Sequence, residues 1–156
     1  MSYSTAICNC ITRFLDADDW KYKLDSEKEI LKLGLTIHNK MKHVDIIFDL
    51  RDDKYLLFFT CPLSVDAAER PEMRDLINRI NYTLMFGCFE MGERDGEIRF
   101  RYSVDCDNQL PSQEVIKHSL YRSAATLEKY GDAIVQVLMG FATGKDAFEK
   151  ARKTDD

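Results

Sequence analysis

Between residues 20 and 50 the chain alternates apolar and polar side chains with a period of two, three times in succession. Trp20, Tyr22 and Leu24 alternate with Lys21 and Lys23. Leu31, Leu33, Leu35 and Ile37 alternate with Lys32, Gly34 and Thr36. Val44, Ile46, Phe48 and Leu50 alternate with Asp45, Ile47 and Asp49. A period of two puts successive side chains on opposite faces, so each run predicts a strand with one face toward a core. The polar clusters between the runs, at 25–29, 38–42 and 51–54, are short. Short connections join antiparallel neighbours, which predicts a meander.

Two later runs break the alternation. Residues 55–59 read Tyr-Leu-Leu-Phe-Phe, apolar on both faces, and Pro62 is expected to end that strand because proline donates no ladder hydrogen bond. Residues 84–91 behave similarly, with Leu84, Phe86 and Cys88 on one side and Met85, Phe89 and Met91 on the other. Asp95-Gly96 marks a hairpin turn, and the return strand turns Ile98, Phe100, Tyr102 and Val104 inward and Arg99, Arg101 and Ser103 outward. The apolar excess has two readings. Either Leu57, Phe59, Met85, Phe89 and Met91 form a partner or dimer surface, or the chain's own helices cover them.

Three helices have their own signals. Residues 4–17 place Ile7, Ile11, Phe14 and Leu15 at helical spacing behind Ser4 as N-cap. Pro71 starts a second helix with the stripe Met73, Leu76, Ile77 and Ile80, expected to end within 78–81. Pro111 and Ser112 open a long third helix with Ile116, Leu120, Leu127, Ile134 and Leu138 on its face. Gly131 is a candidate kink and Gly140 a candidate cap, and a short helical tail occupies 146–156. The expectation is a single α+β domain over 1–156: an antiparallel sheet, meander plus hairpin, with N-terminal, middle and long C-terminal helices.

The charge balance is 22 basic against 27 acidic residues, net −5, with the signs interspersed. That argues against nucleic acid as a partner, since phosphate neutralisation dominates such binding. The N-terminal segment lacks a basic region before its apolar residues, so it does not read as a signal peptide. The apolar stretch near 133–142 is broken by Gln136 and Gly140 and is too short for a bilayer. Five scattered cysteines then read as reduced thiols, and the cytoplasm is the expected location.

Motifs for chemistry are sparse. Gly140-Phe-Ala-Thr-Gly144-Lys145-Asp146 is one residue short of a phosphate-binding loop, carries Asp146 where Ser or Thr is required, and follows a helix. His43, Asp45 and Asp49 share one strand face and are the cluster to inspect for a metal or a catalytic group, with His38 nearby, but no ligand spacing supports a site. His118 and Ser119 are adjacent on a helix and do not face each other. Arg99 and Arg101 can grip an acidic partner, or pair with acidic neighbours across the sheet. No catalytic, cofactor or metal residue is assigned.

From residue 71 onward the pattern resembles a known family. A proline-started helix runs into Leu76-Ile77-Asn78-Arg79-Ile80-Asn81-Tyr82. Gly87-Cys88-Phe89-Glu90 and Asp95-Gly96-Glu97-Ile98-Arg99-Phe100-Arg101-Tyr102 follow, then a long helix ending near Gly140. This is similar to the YbjN family, which carries the label "putative bacterial sensory transduction regulator". The resemblance implies the fold of type III secretion chaperones. It also implies a non-enzymatic, cytoplasmic, homodimeric protein that binds other proteins in a chaperone-like or regulatory role. No cofactor, nucleic acid or membrane is expected as a partner. A small-molecule-sensing domain and an unrecognised enzyme remain as alternatives.

Overall fold

The computed structural model describes residues 3–153. The elements are α1 (Thr5–Ala17), β1 (Lys23–Asp25), β2 (Ile30–Thr36), β3 (His43–Leu50), β4 (Lys54–Ser64), α2 (Arg70–Thr83), β5 (Cys88–Met91), β6 (Glu97–Asp105), α3 (Gln113–Leu138) and α4 (Gly144–Lys153). The six strands form one antiparallel sheet in the order β1-β2-β3-β4-β6-β5. This is the α+β architecture read from the alternation.

Alternation decides the faces. Leu31, Ile46, Phe48, Tyr55, Leu57, Phe59 and Phe100 point to one side and are fully or almost fully buried. Against them lie Ile7, Ile11 and Leu15 of α1, Met73, Leu76 and Ile80 of α2, Ile116, Leu120 and Ile134 of α3, and Phe148 of α4. The Tyr55 hydroxyl, buried beneath α3, lies 2.9 Å from Ser119 Oγ, which in turn donates to the Ile116 carbonyl. Burial pushes the Tyr55 phenol well above its ordinary pKa.

Local signals account for most boundaries. Ser4 Oγ accepts from the Ile7 N–H, and Ser112 Oγ from the Val115 N–H, so both expected N-caps are made. Beyond α3, Gly140 has φ +76°, its N–H reaches the Val137 carbonyl, and the Phe141 N–H reaches Gln136. That pair of bonds is a Schellman stop, and it needs the left-handed conformation that glycine adopts without strain. The tail helix starts at Gly144, and the last three residues of the expected tail lie outside the described residues.

Four boundaries differ from expectation. Trp20 and Tyr22 do not join β1. The Trp20 N–H bonds to the Leu15 carbonyl, and the side chains of Trp20 and Tyr22 donate to Asp18 and Asp16, folding this segment back on α1. β4 passes through Pro62, because the ladder with β6 shifts register between Thr60 and Ser64. α2 continues to Thr83. The strand expected over 84–91 is confined to 88–91, because residues 84–87 bend across the edge of β6.

Candidate functional site

The expected partner surface is corrected by the sheet register. Leu57 pairs with Tyr102, while Phe59 and Phe89 flank Phe100, all on the helix-covered face. Leu57 and Phe59 are fully buried and Phe89 is 2% exposed. They are core residues under the chain's own helices and offer nothing to a partner. Met91, opposite Ile98, is half-buried against the same core. Met85 is the exception, at 90% exposed.

Among the described residues no helix covers the other face. Cys88, Arg101, Phe58, Ile47 and Lys32 are successive cross-strand partners and form one row over it. Arg99 sits beside this row, its guanidinium 4.3 Å from the centre of the Phe58 ring. Glu90 lies opposite Arg99, whose Nε donates to Glu90 Oε1 at 3.1 Å. Arg101 Nε is 3.2 Å from the same oxygen, yet it is buried and lacks an aligned acceptor among the described residues. Two guanidinium groups therefore share one carboxylate.

The strand cluster does not converge. His43 Nε2 lies 3.1 Å from Asp45 Oδ1 at the surface, whereas Asp49 is held by a two-pronged contact from Arg51 at 2.8 Å. Among the described residues no three His, Cys, Asp or Glu side chains are placed to hold a metal ion. In the segment 140–146, the Gly144 N–H donates to Glu72 Oε1 at 2.8 Å. A carboxylate thus occupies a position where a phosphate loop would present its amides.

The most exposed apolar surface is the turn between α2 and β5. Tyr82 is 93% exposed and Phe86 50%, flanking Met85. Tyr82 is two positions past Ile80, about 200° around the helix from the buried stripe, so it faces outward. The turn is fixed at both ends. The Asn81 amide donates to the Phe89 carbonyl at 3.0 Å and accepts from the Phe89 N–H at 2.8 Å. A side chain thereby takes the place of a neighbouring strand and closes the edge of β5. Gly87 has φ +73°, and a Cβ there would lie 2.5 Å from the Phe100 ring. Only glycine lets the backbone pass this close. Phe86 stacks on Tyr102 with centroids 6.1 Å apart, and the Arg122 guanidinium lies 4.1 Å from the centre of the Phe86 ring.

Two open grooves adjoin the helices. One of about 730 Å³ begins at Thr83 and Leu84 and runs between α3 and α4, past Lys129, Tyr130, Glu149, Arg152 and Lys153. The other, about 770 Å³, lies between the β2–β3 turn, α3 and α4 and has Ala133, Ala147 and Phe141 in its wall. Its rim is built by Glu128 and Asp132, whose carboxylates accept from the backbone N–H groups of His38 and Lys40. Among the described residues no helix is long and apolar enough to cross a membrane.

The sequence pattern includes Met85 among the candidate partner or dimer positions but not Tyr82 or Phe86. Tyr82 was legible as an aromatic off the buried stripe of α2. The strand expected over 84–91 includes Phe86, and the Gly87 bend does not permit it there.

Comparison with known proteins agrees with this architecture. No curated protein matches the chain. Among solved structures, the chain is similar to one described as "Crystal structure of YbjN, a putative transcription regulator from E. coli". Identity is 14%, coverage is 85% of this chain and 89% of that one, and the TM-score is 0.59, a likeness of fold. The model of the YbjN family, described as "Putative bacterial sensory transduction regulator", matches residues 9–136. With that match spanning most of both the sheet and α3, the chain belongs to the YbjN family.

Proposed function

We propose that the protein is a non-enzymatic regulatory module of the bacterial cytoplasm that works by binding another protein, as an adaptor or in a chaperone-like way, through the α2–β5 turn. The observation that carries this reading is the exposure of Tyr82 and Met85, 93% and 90%, beside the half-exposed Phe86. Tyrosine and methionine are enriched at protein interfaces, and methionine adapts to varied partner shapes. The turn is also held in place, by Asn81 at one strand edge and by the Phe86–Tyr102 stack, so little ordering is required on binding. Family membership supports a regulatory role in the terms of its description.

Photo-crosslinking tests this reading. A photoreactive phenylalanine analogue placed at position 82 or 85 in cells is expected to give discrete adducts with one or a few proteins. The same analogue at the exposed position Lys32 is expected not to give them. Equal, diffuse labelling from all three positions would refute it. Self-association belongs to the same reading: Met139 and Phe141, exposed beyond α3, offer a second apolar surface for another copy of the chain. Sedimentation velocity over a wide concentration range is expected to show a dimer that Phe141→Ser weakens.

The groove of about 770 Å³ favours a second reading, a small-molecule sensor, because its size falls in the range of ligand sites. A metabolite that raises the melting temperature, with the shift abolished by Ala147→Trp, would support it.

A further inference from the structure

We infer that the groove between the β2–β3 turn, α3 and α4 takes a nucleobase, the flat nitrogen heterocycle of a nucleoside or nucleotide, stacked on Phe141 and read at its edge by Gln136. This rests on the second reading, a small-molecule sensor at that groove, and names the class of ligand.

The groove is a preformed slot. Its turn-side wall is pressed onto α3, where the Asn39 amide donates to the carbonyls of Leu127 at 3.0 Å and Glu128 at 3.1 Å. A Cβ on Gly131 would collide with that amide, so α3 carries glycine where the turn approaches most closely. The Glu128 and Asp132 carboxylates also hold the turn, through the backbone N–H groups of His38 and Lys40. Ala133 and Ala147, 5% and 4% exposed, put only methyl groups on the lining, so a flat face can lie against it.

Two further lining residues select the chemistry. The Phe141 ring is 76% exposed at the groove wall. Gln136 is half-buried in the same lining, and its side-chain amide finds no partner among the described residues. The Phe141 N–H bonds to the Gln136 carbonyl at 2.9 Å, so ring and amide spring from neighbouring backbone. A primary amide presents an acceptor and two donors side by side. Each common base has a donor next to an acceptor on one edge, which an amide can match with two hydrogen bonds. Bases also stack on aromatic rings. An aliphatic ligand would leave the amide unmatched, and a bare sugar would leave the ring unmatched. Lys40 and Lys150 line the groove as well as Asp132 and Asp146, so charge does not choose between a nucleoside and its phosphate.

NMR titration of the full-length protein with adenosine, guanosine, cytidine, uridine and their 5′-monophosphates tests the inference. The compound 1-methylindole serves as a flat ring without the paired edge. At least one nucleoside or monophosphate is expected to bind with a Kd below about 1 mM, shifting the amide signals of Ala133 and Phe141, with 1-methylindole weaker. Gln136→Leu keeps the size and removes the amide, and Phe141→Leu removes the ring. Each is expected to weaken binding about tenfold while the protein stays folded. Tighter binding of the monophosphate assigns a nucleotide, and tighter binding of the unphosphorylated form a nucleoside. No binding by any of them, binding no tighter than 1-methylindole, or binding that either variant leaves unchanged would overturn the inference. If a metabolite of another class then shifts the same amide signals, the sensor reading stands without the base. If none does, both fall.

Discussion

Phe58 and Phe59 are neighbours in sequence and opposites in structure. Phe59 pairs with Ile46 on one side and Phe100 on the other, beneath the helices, and is fully buried. Removing its ring leaves a cavity walled by strands that cannot collapse, so Phe59→Ala is expected to cost about 4 kcal/mol. For a chain of this length that lowers the melting temperature by about 8–16 °C. Phe58 faces the uncovered side, half-buried, with Arg99 over its ring at 4.3 Å. Phe58→Ala loses part of a side chain's burial and one cation–π contact, about 1–2 kcal/mol together. Urea denaturation of the two variants, read by circular dichroism, measures both. A larger loss for Phe58→Ala, or a Phe59→Asp protein that stays folded, would refute the assignment of faces and reopen Phe59 as a partner contact.

Asn81→Ala removes both hydrogen bonds to Phe89 and is expected to cost about 1–3 kcal/mol, with faster hydrogen exchange at the Phe89 amide as the local signature. Ser112→Ala deletes the N-cap of α3 and is expected to cost about 1 kcal/mol in thermal denaturation. The Cys106 thiol is pushed up to about 11, chiefly by burial and then by the Asp105 carboxylate. A raised thiol pKa keeps the folded state protonated, so its contribution is full below the ordinary value near 9.0 and fades as pH rises toward about 11. At neutral pH, alkylation followed by mass spectrometry is expected to label half-buried Cys10 and Cys88 well before Cys8, Cys61 and Cys106.

What the sequence revealed follows from how local each cause is. The caps at Ser4 and Ser112, the buried stripe of α2 and the Gly140 stop are decided within a few residues, and all are made as read. The faces of β2, β3 and β6 follow directly from alternation. In β4 alternation is absent, so nothing local says whether Leu56 and Phe58 or Leu57 and Phe59 turn inward. The register with Phe100 and Tyr102 decides it, and that is a long-range fact. The exposed surface is hard to read locally for the same reason. Residues 84–87 look like strand by composition, but Asn81 and Gly87 together turn them into a bend that lifts Met85 out of the sheet.

Tyr82 and Met85 are expected to carry binding without carrying the fold. The most direct measurement is the affinity of the crosslinked partner for wild-type protein and for Tyr82→Ser/Met85→Ser, by titration calorimetry. Because both side chains are about nine-tenths exposed, the melting temperature is expected to be unchanged. The expected affinity loss is about thirtyfold, the effect of removing one interface hot spot. Equal affinity in a folded double variant would contradict it.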